Sequence, residues 1–145
     1  MSLVKDLMTR DVVTIDLHKT IFDAAKLMSE KKVGCLVIMD GEVPVRIVTE
    51  RDFVRRVVAK KLPLDVKIQE IMSKSLITVD PDASIREAAR LMLKNKIRRI
   101  PVVEENKLVG IIVVSDFARQ LSKKTITEKI LEAMARYPPS APPYF

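Results

Sequence analysis

The chain has very few of the residues that build disulfides, zinc sites or aromatic surfaces. Its 145 residues include one cysteine, one histidine and no tryptophan, and aromatic residues make up 4%. A lone cysteine, Cys35, excludes an internal disulfide and suits a reducing, cytoplasmic setting. One histidine and one cysteine cannot form a zinc-ligand cluster. His18 is typical of a solvated loop before a helix, and Cys35, in an apolar run, of a small core residue.

Glycine is also scarce, which removes the motifs of several enzyme classes. The glycines are Gly34, Gly41 and Gly110, so neither a glycine-rich phosphate loop nor a G-x-S-x-G nucleophile elbow can form. Paired carboxylates occur once in each half of the chain, and no two of them converge in the same half. The sequence therefore predicts a protein that is not an enzyme and has no catalytic cofactor and no metal.

Long apolar runs are missing as well. Charged residues interrupt the first eleven positions, so no signal-peptide pattern opens the chain, and no stretch approaches the length of a membrane span. We therefore expect a soluble, cytoplasmic protein without a membrane partner.

The charge of the chain is strongly positive but mixed. A formal charge of +7 and a pI near 9.6 invite a nucleic-acid interpretation. Because 19 acidic residues are interspersed with 26 basic ones, most basic runs are typical of solvated faces or helix ends. The next interpretation of the basic runs is that they bind a small anionic ligand. Binding of nucleic acid is the least favoured interpretation.

The main feature that is present is an internal repeat. Residues 4–61 match residues 68–125 without a gap, each position pairing with the one 64 further on. A unit of this size buries too little surface to be stable alone, and the connection over 62–67 is short. We therefore predict two units, 4–61 and 68–124, that share a core about a pseudo-two-fold axis and form paired clefts.

Each unit has the pattern of an α/β (α+β) fold with the order β-α-β-β-α. In the first unit, Thr20 and Asp23 predict a helix start, and Asp40-Gly41 predicts a hairpin turn. In the second, Ser84 and Glu87 predict a full capping box, and Glu105-Asn106 predicts a turn. The predicted strands are 12–15, 35–39, 43–48, 76–79, 100–103 and 108–114. The predicted helices begin at 20, 50, 84 and 115, and single helical turns at 4–8 and 68–72 lead into each unit.

The C-terminal segment lies outside the repeat. Residues 125–136 predict a final amphipathic helix, whereas the proline-rich tail 137–145 cannot be helical. That tail is either a recognition motif or a loose end that packs locally through its aromatic residues.

The most suggestive polar constellation is Thr49 with Asp52, where a strand runs into a helix. A helix N-terminus favours anions, Thr49 can bind a phosphate oxygen, and Asp52 offers acceptors for two neighbouring ribose hydroxyls. The same pair also fits an ordinary helix cap without a ligand. Asp116 repeats Asp52 in the second unit.

Arg98 and Arg99 form the second candidate. Adjacent residues that enter a strand point to opposite faces, so one of the two arginines can face a cleft and hold a phosphate. The alternative is that both arginines lie at a solvated strand start.

The two copies together resemble a tandem pair of cystathionine-β-synthase (CBS) domains. The resemblance rests on the ordered motifs T-I-F-D-A-A-K-L-M and I-V-T-E-R-D in the first copy and S-I-R-E-A-A-R-L-M and I-R-R-I-P-V-V in the second. It covers residues 4 to about 124. It implies a regulatory module that binds adenosine-containing ligands between the repeats.

The resemblance also implies site residues. For ribose and phosphate these are Thr49, Asp52, Ser115, Asp116, Arg98 and Arg99. For the adenine pocket they are Val13, Thr14, Ile15, Gly34, Cys35, Ile77, Thr78, Val79 and Pro101. Two departures from the family pattern predict that the two clefts are unequal. Val113 aligns with Thr49 but has no hydroxyl, and Arg46 aligns with Gly110 but has a large side chain.

We therefore expect a sensor that binds AMP, ADP, ATP or a related adenosine nucleotide, forms a homodimer and acts on an unidentified effector protein. The better ribose site is expected at Thr49 and Asp52. The alternatives are a basic nucleic-acid-binding protein and a structural adaptor that docks through the proline-rich tail.

Overall fold

A computed structural model describes residues 2–72 and 75–120, together with 130 and 133. Apart from those last two positions, which are helical, the predicted helix 125–136 and the tail 137–145 lie outside the described residues. No helix within the described part of the chain is long and apolar enough to cross a membrane.

The first unit begins with a short helix and ends in a π-helical segment. Its elements are α1 (Val4–Leu7), β1 (Thr14–Asp16), α2 (Ile21–Lys31), β2 (Cys35–Asp40), β3 (Val43–Thr49) and α3 (Glu50–Asp52), which continues as a π-helix over Phe53–Val58. Strand β2 lies between β1, which is parallel to it, and β3, which is antiparallel. The first strand therefore begins two residues later than the predicted 12–15.

The second unit repeats this plan with one strand fewer. A 3₁₀ turn at Ile68–Ile71 precedes α4 (Ile85–Asn95), β4 (Arg99–Glu104), β5 (Lys107–Val113) and α5 (Val114–Gln120), and β4 and β5 form an antiparallel pair. Mixed helices and small sheets confirm the predicted α+β class.

The predicted strand 76–79 is wrong, because only an isolated parallel bridge joins Val79 to Val102. The first unit shows the reason. There, Val37 N–H donates to Val13 and Leu17 N–H donates to Met39. The positions 64 residues further on hold Pro101 and Pro81, which have no N–H to donate. Both flanking ladder bonds are therefore lost, and the strand is reduced to one bridge.

The hairpin turns are as the sequence predicts, with a small shift in the first. Asp40 pairs with Val43, so the loop residues are Gly41 and Glu42, and Gly41 takes a φ of 61°. In the second hairpin, Glu105 and Asn106 take φ values of 50° and 65°. Positive φ at both loop positions is the geometry of a type I′ turn.

The helix caps differ between the units. Thr20 and Asp23 exchange two hydrogen bonds of 3.1 Å, which is a complete capping box. Ser84 Oγ accepts from Glu87 N–H at 3.1 Å, but the Glu87 carboxylate accepts from Arg90 at 2.9 and 2.7 Å instead of turning back to Ser84. The full box predicted there is therefore only half formed.

Both predicted lead-in turns form, and each packs on the opposite unit. Val4 and Leu7 lie in the core of the second unit, and Ile68 and Ile71 lie in the core of the first. Val4 N–H donates to Ala83 at 2.8 Å, and Ile68 N–H donates to Lys19 at 2.7 Å. The two units therefore have separate buried cores linked by the exchanged turns, and not the single shared core that the repeat predicts.

Candidate functional site

One cleft joins residues of both units, and we call it the first cleft. Its volume is about 690 Å³, and its walls include Thr49 and Asp52 from the first unit and Ile77, Arg99 and Pro101 from the second. Five of the residues named for ribose, phosphate and adenine are therefore brought to one place.

The Asp52 carboxylate sits at the start of α3 with acceptor capacity left. Thr49 N–H donates to Asp52 Oδ2 at 2.8 Å, and the Thr49 hydroxyl lies 3.3 Å from the same oxygen. Arg56 Nε lies 3.4 Å from Asp52 Oδ1, and the Asp52 side chain keeps 26% of its surface exposed. A carboxylate oxygen pair has about four lone-pair sites, so Asp52 can cap its helix and still accept from a ligand hydroxyl.

The π-helix determines which arginine pairs with the Asp52 carboxylate. In the second unit, Arg119 pairs with Asp116 three residues before it and donates to the Leu7 carbonyl at 2.8 Å. The repeat aligns Arg119 with Arg55, but Arg56 is the residue that pairs with Asp52 and donates to the Ile71 carbonyl at 3.1 Å. A π-helix holds more residues per turn than an α-helix, so the matching position moves one residue along.

Arg99, and not Arg98, lines the first cleft. Its Nη2 atom lies 3.3 Å from the place where a Cβ on Gly34 would stand, and the Glu50 carboxylate also borders that place, at 3.8 Å. Arg99 thus reaches across from the second unit to the first.

The related position in the second unit, around Gly110, Val113 and Asp116, is filled by the protein itself. Asp116 is 4% exposed, and its carboxylate accepts from Val113 N–H at 2.7 Å and from Arg119. A Cβ on Gly110 would lie 2.7 Å from Met8 Sδ, so the Met8 side chain occupies the space beside this glycine. We call this region the Asp116 position.

The remaining predicted residues lie outside the first cleft. Ser115, which the resemblance implies as a ribose or phosphate residue, is exposed at the start of α5. Val13 and Thr78 are not among the first-cleft walls, and Val79 is buried at 6% exposure. Thr14 and Ile15 line a separate surface depression of about 560 Å³ with Arg10 and Lys107.

Cys35 is half-buried beside Arg99. Burial raises the pKa of the Cys35 thiol, and the positive charge of Arg99 lowers it by a smaller amount. A thiol in this setting is mostly protonated at neutral pH, which makes it a poor nucleophile. No group of three or more His, Cys, Asp or Glu residues able to hold a metal occurs in the described part of the chain.

The residues that the sequence interpretation missed are mostly cations of the first cleft. Arg55, Arg56 and Lys96 line it together with Arg46, Arg51 and Arg99. Lys96 and Arg99 lie in one basic run of the sequence, which was the available signal. Nothing in the sequence distinguishes Arg56 from Arg55, because the π-helix decides between them.

Comparison with known proteins gives a consistent result. The CBS domain matches the chain twice, at residues 4–59 and 68–123. The CBS domain-containing protein YhcV of Bacillus subtilis is 36% identical over 86% of this chain and 90% of its own length.

Solved structures of small proteins share the fold. A crystal structure of Hypoxic Response Protein I with two coordinated zinc ions has a TM-score of 0.76 at 32% identity, covering 83% of this chain and all of that one. A hexameric CBS-CP12 protein from bloom-forming cyanobacteria has a TM-score of 0.72 at 34% identity, covering 94% of this chain and 84% of that one.

Proposed function

This chain belongs to the CBS-domain family, whose tandem pairs generally act as regulatory ligand-binding modules, and we propose that its ligand is an adenosine-containing nucleotide. The ligand binds in the first cleft, with AMP, ADP and ATP as the candidate forms. The protein itself carries out no catalysis, and its binding state is read by an effector protein.

The observation that carries this proposal is the Asp52 carboxylate in a cleft shared with Ile77 and Pro101. Asp52 Oδ1 lies opposite Arg56, and the side chain remains 26% exposed to the cleft. Adjacent ribose hydroxyls donate to such a carboxylate. Ile77 and Pro101 supply apolar surface from the other unit, against which a flat purine ring can pack.

We further propose that each chain binds one nucleotide. At the Asp116 position the carboxylate is only 4% exposed and accepts from Arg119. Val113 has no hydroxyl, and the Met8 side chain lies against Gly110. A nucleotide would have to displace these contacts before it could bind there, so the first cleft is the stronger site.

A homodimer is part of the same proposal. Val54 and Val58, four residues apart along α3 and its π-helical continuation, are 62% and 71% exposed, and Phe22 is 53% exposed. Exposed apolar side chains on a helix face favour a partner helix. A neighbouring CBS-domain structure is described as hexameric, which supports self-association. A cytoplasmic location agrees with the single unpaired Cys35.

The test compares ATP with 2′,3′-dideoxy-ATP by isothermal titration calorimetry. Because the two ligands carry the same phosphates, the comparison isolates the ribose contact. We expect the wild-type chain to prefer ATP by about tenfold, the value of a charge-assisted hydrogen bond. Asp52→Asn should abolish most of that preference.

Asp23→Asn is the matched control, because Asp23 occupies the same capping position in α2 but lies outside the first cleft. This variant should keep the preference for ATP. An equal affinity for ATP, GTP and CTP, or no binding of any nucleotide at millimolar concentration, would overturn the proposal.

A further inference from the structure

The first cleft carries far more positive charge than one phosphate needs. Among the residues that the structure describes, six basic side chains line it, from Arg46, Arg51, Arg55, Arg56, Lys96 and Arg99, against one acidic side chain, Asp52. Arg56 is paired with that carboxylate. Arg46, Arg55, Lys96 and Arg99 form no ion pair with any residue that the structure describes.

The repeat provides an internal comparison for these four cations. The residues 64 positions away are Gly110, Arg119, Lys32 and Cys35. Two of these counterparts carry no positive charge, and Arg119 is paired with Asp116. Lys32 is thus the counterpart that keeps an unpaired charge within the described residues. The concentration of cations is therefore a property of the first cleft and not of the fold.

Arg46 is the most specific of the four. It follows the bulge in β3, where its counterpart Gly110 has no side chain. Arg46 Nε is buried with no hydrogen-bond partner among the described residues, while the guanidinium donates to the Val45 carbonyl. A buried guanidinium N–H needs an acceptor, and guanidinium geometry matches carboxylate and phosphate oxygens.

We propose that the first cleft selects its ligand by the number of phosphates, so that nucleoside di- and triphosphates bind more tightly than the monophosphate. Arg46 and Arg99 are the specificity-determining residues. This proposal rests on the function proposed above, and it adds the class of nucleotide. Like charges held together without counter-charges are unfavourable, and a ligand with three or four negative charges relieves that repulsion more than AMP does.

The experiment is a ligand ladder measured by calorimetry in buffer without divalent cations: adenosine, AMP, ADP, ATP and inorganic tripolyphosphate. We expect affinity to increase by about tenfold for each added phosphate, the effect of one new charge-assisted contact. Adenosine or AMP that binds as tightly as ATP would overturn the phosphate-count proposal and leave the proposed function standing. Tripolyphosphate that binds as tightly as ATP would overturn the adenosine assignment instead.

Three variants locate the effect. Arg46→Gln and Arg99→Gln keep most of the side-chain volume and should each weaken ATP binding by about tenfold, with less than a threefold effect on AMP. The control Arg90→Gln removes an exposed cation that is paired with Glu87 and lies outside the first cleft. Equal losses for AMP and ATP in the two cleft variants would contradict the assignment of these arginines, and the wild-type ladder tests the proposal independently of how the variants fold.

Discussion

The guanidinium of Arg99 lies over Gly34, with Nη2 3.3 Å from the place where a Cβ would stand. The repeat aligns Gly34 with Arg98, so strict symmetry between the units would have placed a bulky side chain there. The small residue in the first unit is what allows an arginine of the second unit to reach the first cleft. The mismatch between Gly34 and Arg98 in the repeat is therefore required for Arg99 to reach the site.

Alanine substitution at Gly110 and at Gly34 should lower the stability by unequal amounts. In Gly110→Ala the new Cβ would lie 2.7 Å from Met8 Sδ and 2.9 Å from the Thr9 carbonyl oxygen. Because a backbone atom cannot move aside cheaply, we expect a loss of about 1–3 kcal/mol in the free energy of unfolding. In Gly34→Ala the nearest atom is the end of a flexible arginine, so the loss should stay below about 0.5 kcal/mol. Urea denaturation measures both, and equal losses would contradict the packing described at Gly110.

The buried Asp116 carboxylate should depend on Arg119 more than Asp52 depends on Arg56. The Asp116 side chain is 5% exposed, whereas that of Asp52 is 26% exposed. Arg119→Ala leaves Oδ1 of a nearly buried carboxylate without its charged partner and releases the Leu7 carbonyl, which should cost about 1–3 kcal/mol. Arg56→Ala should cost less, since water can reach Asp52. Chemical denaturation of the two variants side by side checks the order, and the reverse order would show that Asp116 has another source of stabilisation.

The Cys35 thiol should react slowly in the folded protein. Because burial raises its pKa, the native state holds the proton more tightly than the unfolded state does. Stability should therefore fall as the pH rises above the ordinary thiol pKa, and Cys35→Ala should remove that part of the fall. Alkylation at neutral pH should be slower in native than in urea-unfolded protein, and slower still in Arg99→Gln, because Arg99 lowers the pKa. Faster alkylation in Arg99→Gln would show that the arginine acts by shielding and not by charge.

The number of nucleotides bound should be one per chain. The Asp116 position is occupied by Met8 and Arg119, so calorimetric titration with ATP should reach its equivalence point at one. At a hundredfold excess over the dissociation constant, that single site should add about 2.7 kcal/mol to the free energy of unfolding. A second equivalence point in the wild-type chain would contradict the occlusion of the Asp116 position.

Removal of the Thr20 side chain, which caps the N-terminus of α2, should destabilise the fold by a modest amount. Thr20 Oγ1 accepts from Asp23 N–H at 3.1 Å, so Thr20→Ala should cost about 1 kcal/mol. Ser84→Ala, which removes the corresponding bond to Glu87 N–H at 3.1 Å, provides the matched comparison and should cost a similar amount. Thermal unfolding measures both variants. An unchanged unfolding midpoint in either variant would contradict the expected loss of stability.

Much of the fold could be predicted because local signals and the repeat agreed. Thr20 with Asp23 marks a helix start in any context, and Glu105-Asn106 accepts the positive φ of a tight turn. The missing strand at 76–79 was in principle also predictable, since Pro81 and Pro101 cannot donate to a ladder. The apolar pattern at 76–79 repeats that of 12–15, and such a pattern does not indicate whether the flanking positions have an N–H to donate.

The candidate site was predicted less completely. The pair Thr49 and Asp52 was identified from a strand that runs into a helix, and both residues line the first cleft. Arg56 could not be chosen over Arg55, because the π-helix that decides between them depends on how α3 packs.

The sequence by itself determined that the chain has two related units, the order of elements in the first and of all but one in the second, and the mismatches that make the units unequal. These features follow from local or repeated patterns of residues, which do not depend on how distant parts of the chain pack. Only the tertiary structure decided that α1 and the 3₁₀ turn exchange places between the units, that Arg99 crosses to Gly34, and that Met8 and Arg119 occupy the Asp116 position. Each of these depends on side chains from distant parts of the chain competing for the same space, and the spacing of residues along the chain does not encode that competition.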